Sequence, residues 1–172
     1  DACAGAGGKT LHVAALLNNK RKIIAMDTEQ WKLDELKKRA RRAGAFNIEP
    51  RLIESLKTIK RLEGSADRLL LDVPCSGLGV LRRNPDAKWK LDSAFIEKVK
   101  NIRQKILNDY SAMLKKGGLM VYSTCSILPS ENELQVKQFL ENNKGQFELL
   151  EEQTIYPTQG FDGFYMARIR KR

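Results

Sequence analysis

The amino-acid sequence predicts an α/β fold in which a mostly parallel sheet has helices on both faces. Strand-like and helix-like segments alternate along the chain, which is the pattern of repeated βαβ units. The segment 68–73 is a short apolar run, as expected for a strand buried on both faces. The segment 94–114 instead repeats apolar residues every three or four positions, which is the period of an amphipathic helix.

The first half of the chain is predicted to contain a turn, two helices and three strands. The turn is rich in glycine, and Gly44 is placed to end the second helix. In chain order the predicted segments are the turn 1–8, the helix 9–17, the strand 21–26, the helix 29–43 and the strands 49–53 and 68–73.

The second half is predicted to contain two helices and three strands. Gly117 and Gly118 are expected to end the long helix. The predicted segments are the helix 94–114, the strand 119–123, the helix 131–140 and the strands 147–150 and 164–169. Because the chain opens inside a turn that should follow a strand, we expect residues 1–172 to be one domain truncated at its amino terminus.

Composition narrows the classes of function. The 172 residues carry a formal net charge of +10, which favours a polyanionic partner such as nucleic acid, although a lysine-rich solubilising surface is the alternative. Three cysteines without a Cys-x-x-Cys pair argue against a disulfide framework and a structural zinc site. No apolar stretch is long enough to span a membrane. We therefore expect a monomeric, cytoplasmic protein without a metal or a membrane partner.

Two cysteines follow predicted strands directly. Cys75 comes after the strand 68–73, and Cys125 comes after the strand 119–123. In parallel sheets ligands bind beyond the carboxyl ends of the strands, so the two thiols could share one pocket. A thiol in a pocket is usually there for its reactivity, whereas an isolated buried cysteine is commonly inert. The residues alone do not decide which thiol attacks a substrate, because both follow a strand.

The turn 4–10 reads Ala-Gly-Ala-Gly-Gly-Lys-Thr and leads into a helix. Glycines allow close approach of a ligand, and N–H groups at a helix start bind anions. Asp27 lies 19 positions after Gly8, near the spacing of the ribose-binding acidic residue in dinucleotide folds. The alternatives are a turn without a ligand and the phosphate-binding loop of a nucleotide hydrolase, in which Asp72 would hold Mg²⁺. Cys3 stands where that loop requires its first glycine, so the match is broken.

Five motifs in order resemble those of the Nol/Nop/Sun family of RNA cytosine-5 methyltransferases. The resemblance covers essentially the whole chain and looks closest to the bacterial enzymes that modify small-subunit ribosomal RNA. Each motif alone is moderately specific, whereas five in order are strongly so. The motifs are DACAGAGGKT at 1–10, DVPCSG at 72–77, RRNPD at 82–86, STCS at 123–126 and DGF at 162–164.

The resemblance implies a Rossmann-like class I fold that uses S-adenosylmethionine as its cofactor, in a catalytic domain that lacks the family's amino-terminal RNA-binding region. The chain departs from the family pattern where Gly5-Ala6 replaces the usual Ala-Pro and where Glu54 replaces an aspartate. The cofactor-binding residues that the resemblance implies are Cys3, Ala4, Gly5, Ala6, Gly7, Gly8, Lys9, Asp27, Glu54 and Asp72.

The resemblance also implies the reaction, which is methyl transfer to carbon 5 of a cytosine in RNA, with 16S ribosomal RNA as the expected substrate. A thiolate that adds to carbon 6 makes carbon 5 nucleophilic, so covalent catalysis divides one hard step into two easier ones. By resemblance Cys125 is the nucleophile and Cys75 assists product release. Asp72 would contact the base where charge develops, and Lys9 would pair with Asp72 or with the cofactor carboxylate.

RNA must present an unpaired or extruded cytosine to such a site. We expect Arg82, Arg83 and Lys88 to hold flanking phosphates, because they follow the Cys75 motif directly. Trp89 either stacks on a base or belongs to the core. Two other classes of function remain open, namely a nucleotide hydrolase and an RNA-binding module without catalysis.

Overall fold

A computed structural model describes residues 1–172 except for the side chain of Lys90. Helices and strands alternate as the sequence predicts, and three single turns of 3₁₀ helix join some of them. The helices are α1 (Gly8–Leu16), α2 (Gln30–Arg42), α3 (Leu56–Lys60), α4 (Ala87–Lys90), α5 (Ser93–Tyr110) and α6 (Glu133–Asn142). The strands are β1 (Ile23–Asp27), β2 (Ile48–Leu52), β3 (Ala66–Asp72), β4 (Leu114–Thr124), β5 (Phe147–Ile155) and β6 (Phe164–Lys171).

Residues 1–62 form one compact unit, which we call the amino-terminal unit. Its two strands, β1 and β2, pair in parallel. The first residues of the chain run along the other edge of β1, where the Asp1 carbonyl accepts a hydrogen bond from the Met26 N–H and the Ala4 N–H donates to the Met26 carbonyl. A small apolar core holds this unit together; it contains Ala4, Ala25, Leu36 and Ala40, with Leu11, Ala45 and Ile48 packed against it.

Residues 63–172 form the second compact unit, which we call the carboxy-terminal unit. Its four strands lie in the order β3-β4-β6-β5. β3 and β4 are parallel, because the long helix α5 lies in the connection between them. β5 and β6 follow each other after a short turn, so β6 is antiparallel to both of its neighbours. The expected parallel pairing therefore holds for β1 with β2 and for β3 with β4, and β5 and β6 make the four-stranded sheet mixed.

The two glycines that were expected to end the long helix lie inside a strand instead. Helix α5 ends at Tyr110, a 3₁₀ turn follows, and β4 already begins at Leu114. Gly117 and Gly118 lie where the pairing of β4 with β3 shifts register. Gly117 has a φ of +78°, a conformation that favours glycine. The prediction of a helix over 94–114 was wrong at its end because glycine marks a strand irregularity as readily as a helix end.

Two short helices, α3 and α4, were not predicted. Each has at most five residues, which is too short for a helical period to be visible in the sequence. The Ser55 hydroxyl caps α3 by accepting a hydrogen bond from the Lys57 N–H. None of the helices in the described part of the chain combines the length and apolar character that a membrane span requires.

Candidate active site

The two cysteine segments leave the sheet at the same edge. β3 and β4 are parallel neighbours in which Asp72 lies opposite Ser123, and the Val73 N–H donates to the Ser123 carbonyl at 3.0 Å. Cys75 and Cys125 each follow within a few residues. The parallel register therefore brings two thiols together although they are 50 positions apart in the chain.

The sulfur atoms of Cys75 and Cys125 lie 3.1 Å apart, within hydrogen-bonding distance, and both residues are half-buried. The Cys125 thiol beside it and then burial raise the pKa of Cys75 well above its usual range. Two sulfur atoms at this distance do not both ionise readily, because like charges repel and burial disfavours the charged form. The pair therefore does not lose both of its protons readily, and the pKa of Cys75 lies above its ordinary value.

Asp72 ends β3 and lies three residues before Cys75. Its carboxylate accepts a hydrogen bond from the Ser123 hydroxyl at 3.1 Å, and the residue is half-buried. Ser123 was not among the predicted site residues; it belongs to the STCS motif, and its place opposite Asp72 depends on the strand register. The prediction that Asp72 contacts the base remains a prediction.

The DGF motif of the sequence holds the loop that follows Cys75. The Gly79 N–H donates to the Cys125 carbonyl at 2.9 Å, and the Gly163 N–H donates to the Gly79 carbonyl at 2.7 Å. A Cβ atom on Gly79 would come 2.1 Å from the Gly163 carbonyl oxygen. Glycine is therefore required at position 79, because the backbones of Cys125 and Gly163 approach it so closely.

We expect Gly79→Ala to lower the free energy of unfolding by roughly 3 kcal/mol or more, since backbone atoms cannot move aside cheaply. Gly145→Ala is the matched control, because Gly145 has a φ of +78° but open space around the added Cβ. It should cost only about 1 kcal/mol of backbone strain. Urea unfolding of both variants measures the difference, and equal losses would refute the steric argument.

The basic segment after Cys75 is exposed at the residues predicted to bind RNA. Arg82, Arg83 and Lys88 are all exposed, and Arg83 forms an ion pair of 2.7 Å with Asp162. Trp89 is 80% exposed, which excludes the alternative that it belongs to the core. The Lys88 ammonium group lies 4.7 Å from the centre of the Trp89 ring. The segment therefore presents positive charge together with an exposed aromatic face.

The glycine-rich turn in the amino-terminal unit is anchored to the end of β1. The Gly5 N–H donates to one oxygen of Asp27 at 2.9 Å, and the Glu29 N–H donates to the other at 3.0 Å. Gly7 precedes α1 with a φ of +87°, and a Cβ there would come 2.7 Å from the Leu36 side chain. The turn therefore has a conformation that requires glycine and that the Asp27 carboxylate supports.

The other residues predicted to bind a cofactor surround this turn or follow β2. Ala4 is buried and Cys3 is half-buried, whereas Gly8, Lys9 and Glu54 are exposed. The Ala6 carbonyl accepts a hydrogen bond from the Arg39 guanidinium at 3.0 Å. The predicted pairing of Lys9 and the cofactor role of Glu54 remain predictions. Across the described residues no group of three His, Cys, Asp or Glu side chains is arranged to hold a metal ion.

Solved structures share this fold. The crystal structure of NSun6 from Pyrococcus horikoshii with SFG is 31% identical with a TM-score of 0.87, and the match covers 99% of this chain and 47% of that one. A methyltransferase homolog protein from the same organism is 29% identical with a TM-score of 0.83, over 99% of this chain and 60% of that one. The fold is therefore Rossmann-like and of the methyltransferase type, as the sequence predicts.

Sequence relatives agree with this result. The ribosomal RNA small subunit methyltransferase B of Pasteurella multocida is 38% identical over 186 residues, and that of Yersinia enterocolitica is 36% identical over 183 residues. These matches cover 99% and 100% of this chain, and the chain spans 42% of the length of each relative. A family model described as 16S rRNA methyltransferase RsmB/F matches residues 1–170. The chain therefore belongs to the RsmB/F family of 16S rRNA methyltransferases, which confirms the resemblance.

Proposed function

We propose that the protein transfers a methyl group from S-adenosylmethionine to carbon 5 of a cytosine in RNA, with 16S ribosomal RNA as the substrate. The observation that carries the proposal is the pair of thiols 3.1 Å apart at the end of two parallel strands, in a chain of this family. The names of the relatives, which are small-subunit ribosomal RNA methyltransferases, support the choice of substrate. We further propose a monomeric protein in the cytoplasm.

The amino-terminal unit has features that fit the cofactor. Gly5 has a φ of +54° and Gly8 has open space where a side chain would lie, so the turn leaves room for a ligand against its backbone. The N–H groups at the start of α1 suit the cofactor carboxylate, and Asp27 lies at the strand end where ribose hydroxyls are bound in such folds. NSun6 was crystallised with SFG, an analogue of S-adenosylmethionine. When bound, S-adenosylmethionine supplies a methyl group on a positively charged sulfur.

In the proposed reaction the Cys125 thiolate attacks carbon 6 of the cytosine and forms a carbon–sulfur bond. The electron pair of the 5,6 double bond moves toward carbon 5, which becomes the nucleophile that accepts the methyl group. A base, for which water suffices, then takes the proton of carbon 5, the electrons of that bond form the double bond again, and the bond to carbon 6 breaks so that Cys125 leaves as a thiolate. Asp72 is half-buried at the end of β3, three residues before Cys75, and would hydrogen-bond the base while charge develops on it.

The 3.1 Å separation of the sulfurs supports an order in which the two cysteines would act. While Cys125 is a free thiol or thiolate, the interaction with it keeps the proton on Cys75. Once the Cys125 sulfur is bonded to carbon 6 it carries no charge, so the main cause of the raised pKa of Cys75 is removed. The Cys75 thiol then gives up its proton to solvent more readily, and the resulting thiolate would assist release of the methylated base, which is the role that the family resemblance implies.

The basic segment would hold the RNA beside the thiols. Arg82 and Lys88 are exposed cations that suit phosphate oxygens, and Trp89 offers a face on which an unpaired base stacks. Arg83 already pairs with Asp162, so its contact with RNA would compete with that ion pair.

The test is methylation of 16S ribosomal RNA isolated from cells that lack the gene for this protein. The full-length protein, incubated with this RNA and S-adenosylmethionine, should restore one 5-methylcytosine that mass spectrometry of RNA fragments locates. Calorimetry distinguishes the alternatives, because a methyltransferase binds S-adenosylhomocysteine and a nucleotide hydrolase binds ATP with Mg²⁺. Binding of ATP without binding of S-adenosylhomocysteine would refute the proposal, and so would binding of S-adenosylhomocysteine without methylation of any ribosomal cytosine.

A further inference from the structure

A buried polar cluster includes the residues that directly follow the two cysteines in the chain. We call it the Glu131 cluster, and it consists of Ser76, Arg103, Ser126 and Glu131. The side chains of Arg103 and Glu131 are both completely buried, and the two serines are buried as well. The chemistry proposed above uses none of these four side chains, so their presence at this place requires another explanation.

The Glu131 carboxylate binds the residue that follows Cys75 through two donors. One carboxylate oxygen accepts from the Ser76 N–H at 3.1 Å and from the Arg103 guanidinium at 2.7 Å, and the other accepts from the Ser76 hydroxyl at 2.5 Å. The Ser126 hydroxyl lies 3.3 Å from the Ser76 hydroxyl, which ties the residue after Cys125 to the same cluster. One carboxylate thus fixes the chain immediately after both cysteines.

A second set of hydrogen bonds fixes the segment that carries Glu131. The Tyr122 hydroxyl donates to the Glu131 carbonyl at 2.7 Å. The Thr124 hydroxyl donates to the Asn132 side-chain oxygen at 2.6 Å, and the Asn132 amide donates to the Ser126 carbonyl at 3.0 Å. The carboxylate is therefore connected to the end of β4 and cannot shift without moving the Cys125 segment as well.

The charge of Glu131 is maintained despite its burial. Burial by itself would raise the pKa of Glu131, but hydrogen bonds from Ser126 and Ser76 together with the charge of Arg103 outweigh it and hold the pKa below its usual value. A buried ion pair is weak evidence for stability, because well-packed apolar side chains of similar size replace such pairs without loss. Apolar residues cannot replace the hydrogen bonds that the Glu131 carboxylate accepts from the Ser76 N–H and hydroxyl.

We propose that Glu131, held in place by Arg103, is a positioning residue that sets the separation and orientation of the Cys75 and Cys125 thiols. The catalytic consequence rests on the proposed function, in which the two sulfurs act in turn on one base. A misplacement of about 1 Å in such a site costs roughly a hundredfold in rate. The effect of Glu131 on the separation and orientation of the thiols does not depend on methyl transfer.

Two variants of the full-length protein test the proposal. Glu131→Gln keeps the size of the side chain and removes its charge, whereas the double variant Arg103→Met/Glu131→Leu replaces the ion pair by apolar side chains and leaves no unpaired charge in the core, so it should still fold. We expect both to lower kcat by about a hundredfold while KM changes little, because positioning is lost and RNA contacts are kept. Thermal unfolding of each variant identifies those that fold normally.

A second measurement reports the distance between the thiols without RNA or methyl donor. Phenylarsine oxide reacts with two neighbouring thiols, forming two arsenic–sulfur bonds and releasing water, so its affinity falls when the sulfurs move apart. We expect the wild type to bind it across Cys75 and Cys125, as peptide mass spectrometry will show, and both variants to bind it about tenfold more weakly or worse. A residue that only supports folding would not change this affinity in a protein that remains folded.

Glu151→Gln is the matched control, because it removes the exposed ion pair between Glu151 and Arg168 on β5 and β6. It should leave kcat and the arsenical affinity unchanged. If the double variant is folded and keeps both quantities, the positioning role is overturned. If arsenical affinity falls in the variants but the wild type methylates no RNA, the positioning role stands and the proposed function fails. Ser76→Ala removes one hydroxyl and leaves the ion pair intact. If neither variant folds, kcat and the arsenical affinity of Ser76→Ala are measured instead, and both should fall.

Discussion

Cys125→Ala in the full-length protein should abolish methylation of RNA, with a loss of roughly 10⁴-fold or more, as expected when the nucleophile of a covalent mechanism is removed. The physical reason is that carbon 5 of cytosine does not accept a methyl group until a thiolate adds to carbon 6. Transfer of a radioactive methyl group to 16S ribosomal RNA measures the loss. Binding of S-adenosylhomocysteine should be unchanged, which shows that the variant folds.

The same variant makes a prediction about Cys75. Since the Cys125 thiol is the main cause of the raised pKa of Cys75, removing it should shift alkylation of Cys75 by iodoacetamide to lower pH. The midpoint should fall toward the ordinary cysteine value of about 8.5 and stay above it, because the burial of Cys75 remains. Peptide mass spectrometry distinguishes Cys75 from Cys3, the other remaining thiol. Methylation at the wild-type rate by Cys125→Ala, or an unchanged alkylation midpoint, would contradict the assignment of Cys125 and its coupling to Cys75.

Cys75→Ala should trap the protein on its RNA. In this variant Cys125 still attacks carbon 6 and carbon 5 still accepts the methyl group, but the group that assists release is missing. We therefore expect about one turnover at most and a protein–RNA species that survives denaturing electrophoresis. The trapped RNA should carry the methyl group, which distinguishes slow release from slow transfer.

The double variant Cys75→Ala/Cys125→Ala is the control for the trapped species, because it retains the fold of the loop but has no thiol at either strand end. It should form no adduct. Normal turnover by Cys75→Ala would show that Cys75 has no part in release. An adduct that forms in the double variant, or that forms in Cys125→Ala and not in Cys75→Ala, would reverse or refute the division of roles between the two thiols.

The sequence predicted the alternation of strands and helices and the place of each cysteine after a strand. Both depend on local patterns, namely the apolar runs of β3 and β4 and the helical period of α5. The ends of elements were less certain from the sequence. Gly117 and Gly118 were interpreted as a helix end, but they lie in an irregular part of β4, since the choice depends on pairing with β3.

The supporting side chains of the site could not be predicted from the sequence. Arg103 lies on the long helix and Glu131 lies in a polar stretch, and charged residues in such places are normally exposed. Their burial follows from the packing of segments that are 28 positions apart. The close approach of Gly79 and Gly163 is likewise a contact between distant segments, although the DGF motif marked one of the two residues in advance.

The sequence by itself determined which residues follow which strands and, through its motifs, the family and the expected chemistry. Only the tertiary structure decided that the Cys75 and Cys125 sulfurs lie 3.1 Å apart and that one buried carboxylate holds both of their loops. The physical reason is that local patterns set the backbone conformation of each segment, whereas distances between segments depend on strand register and on packing, which involve the whole carboxy-terminal unit.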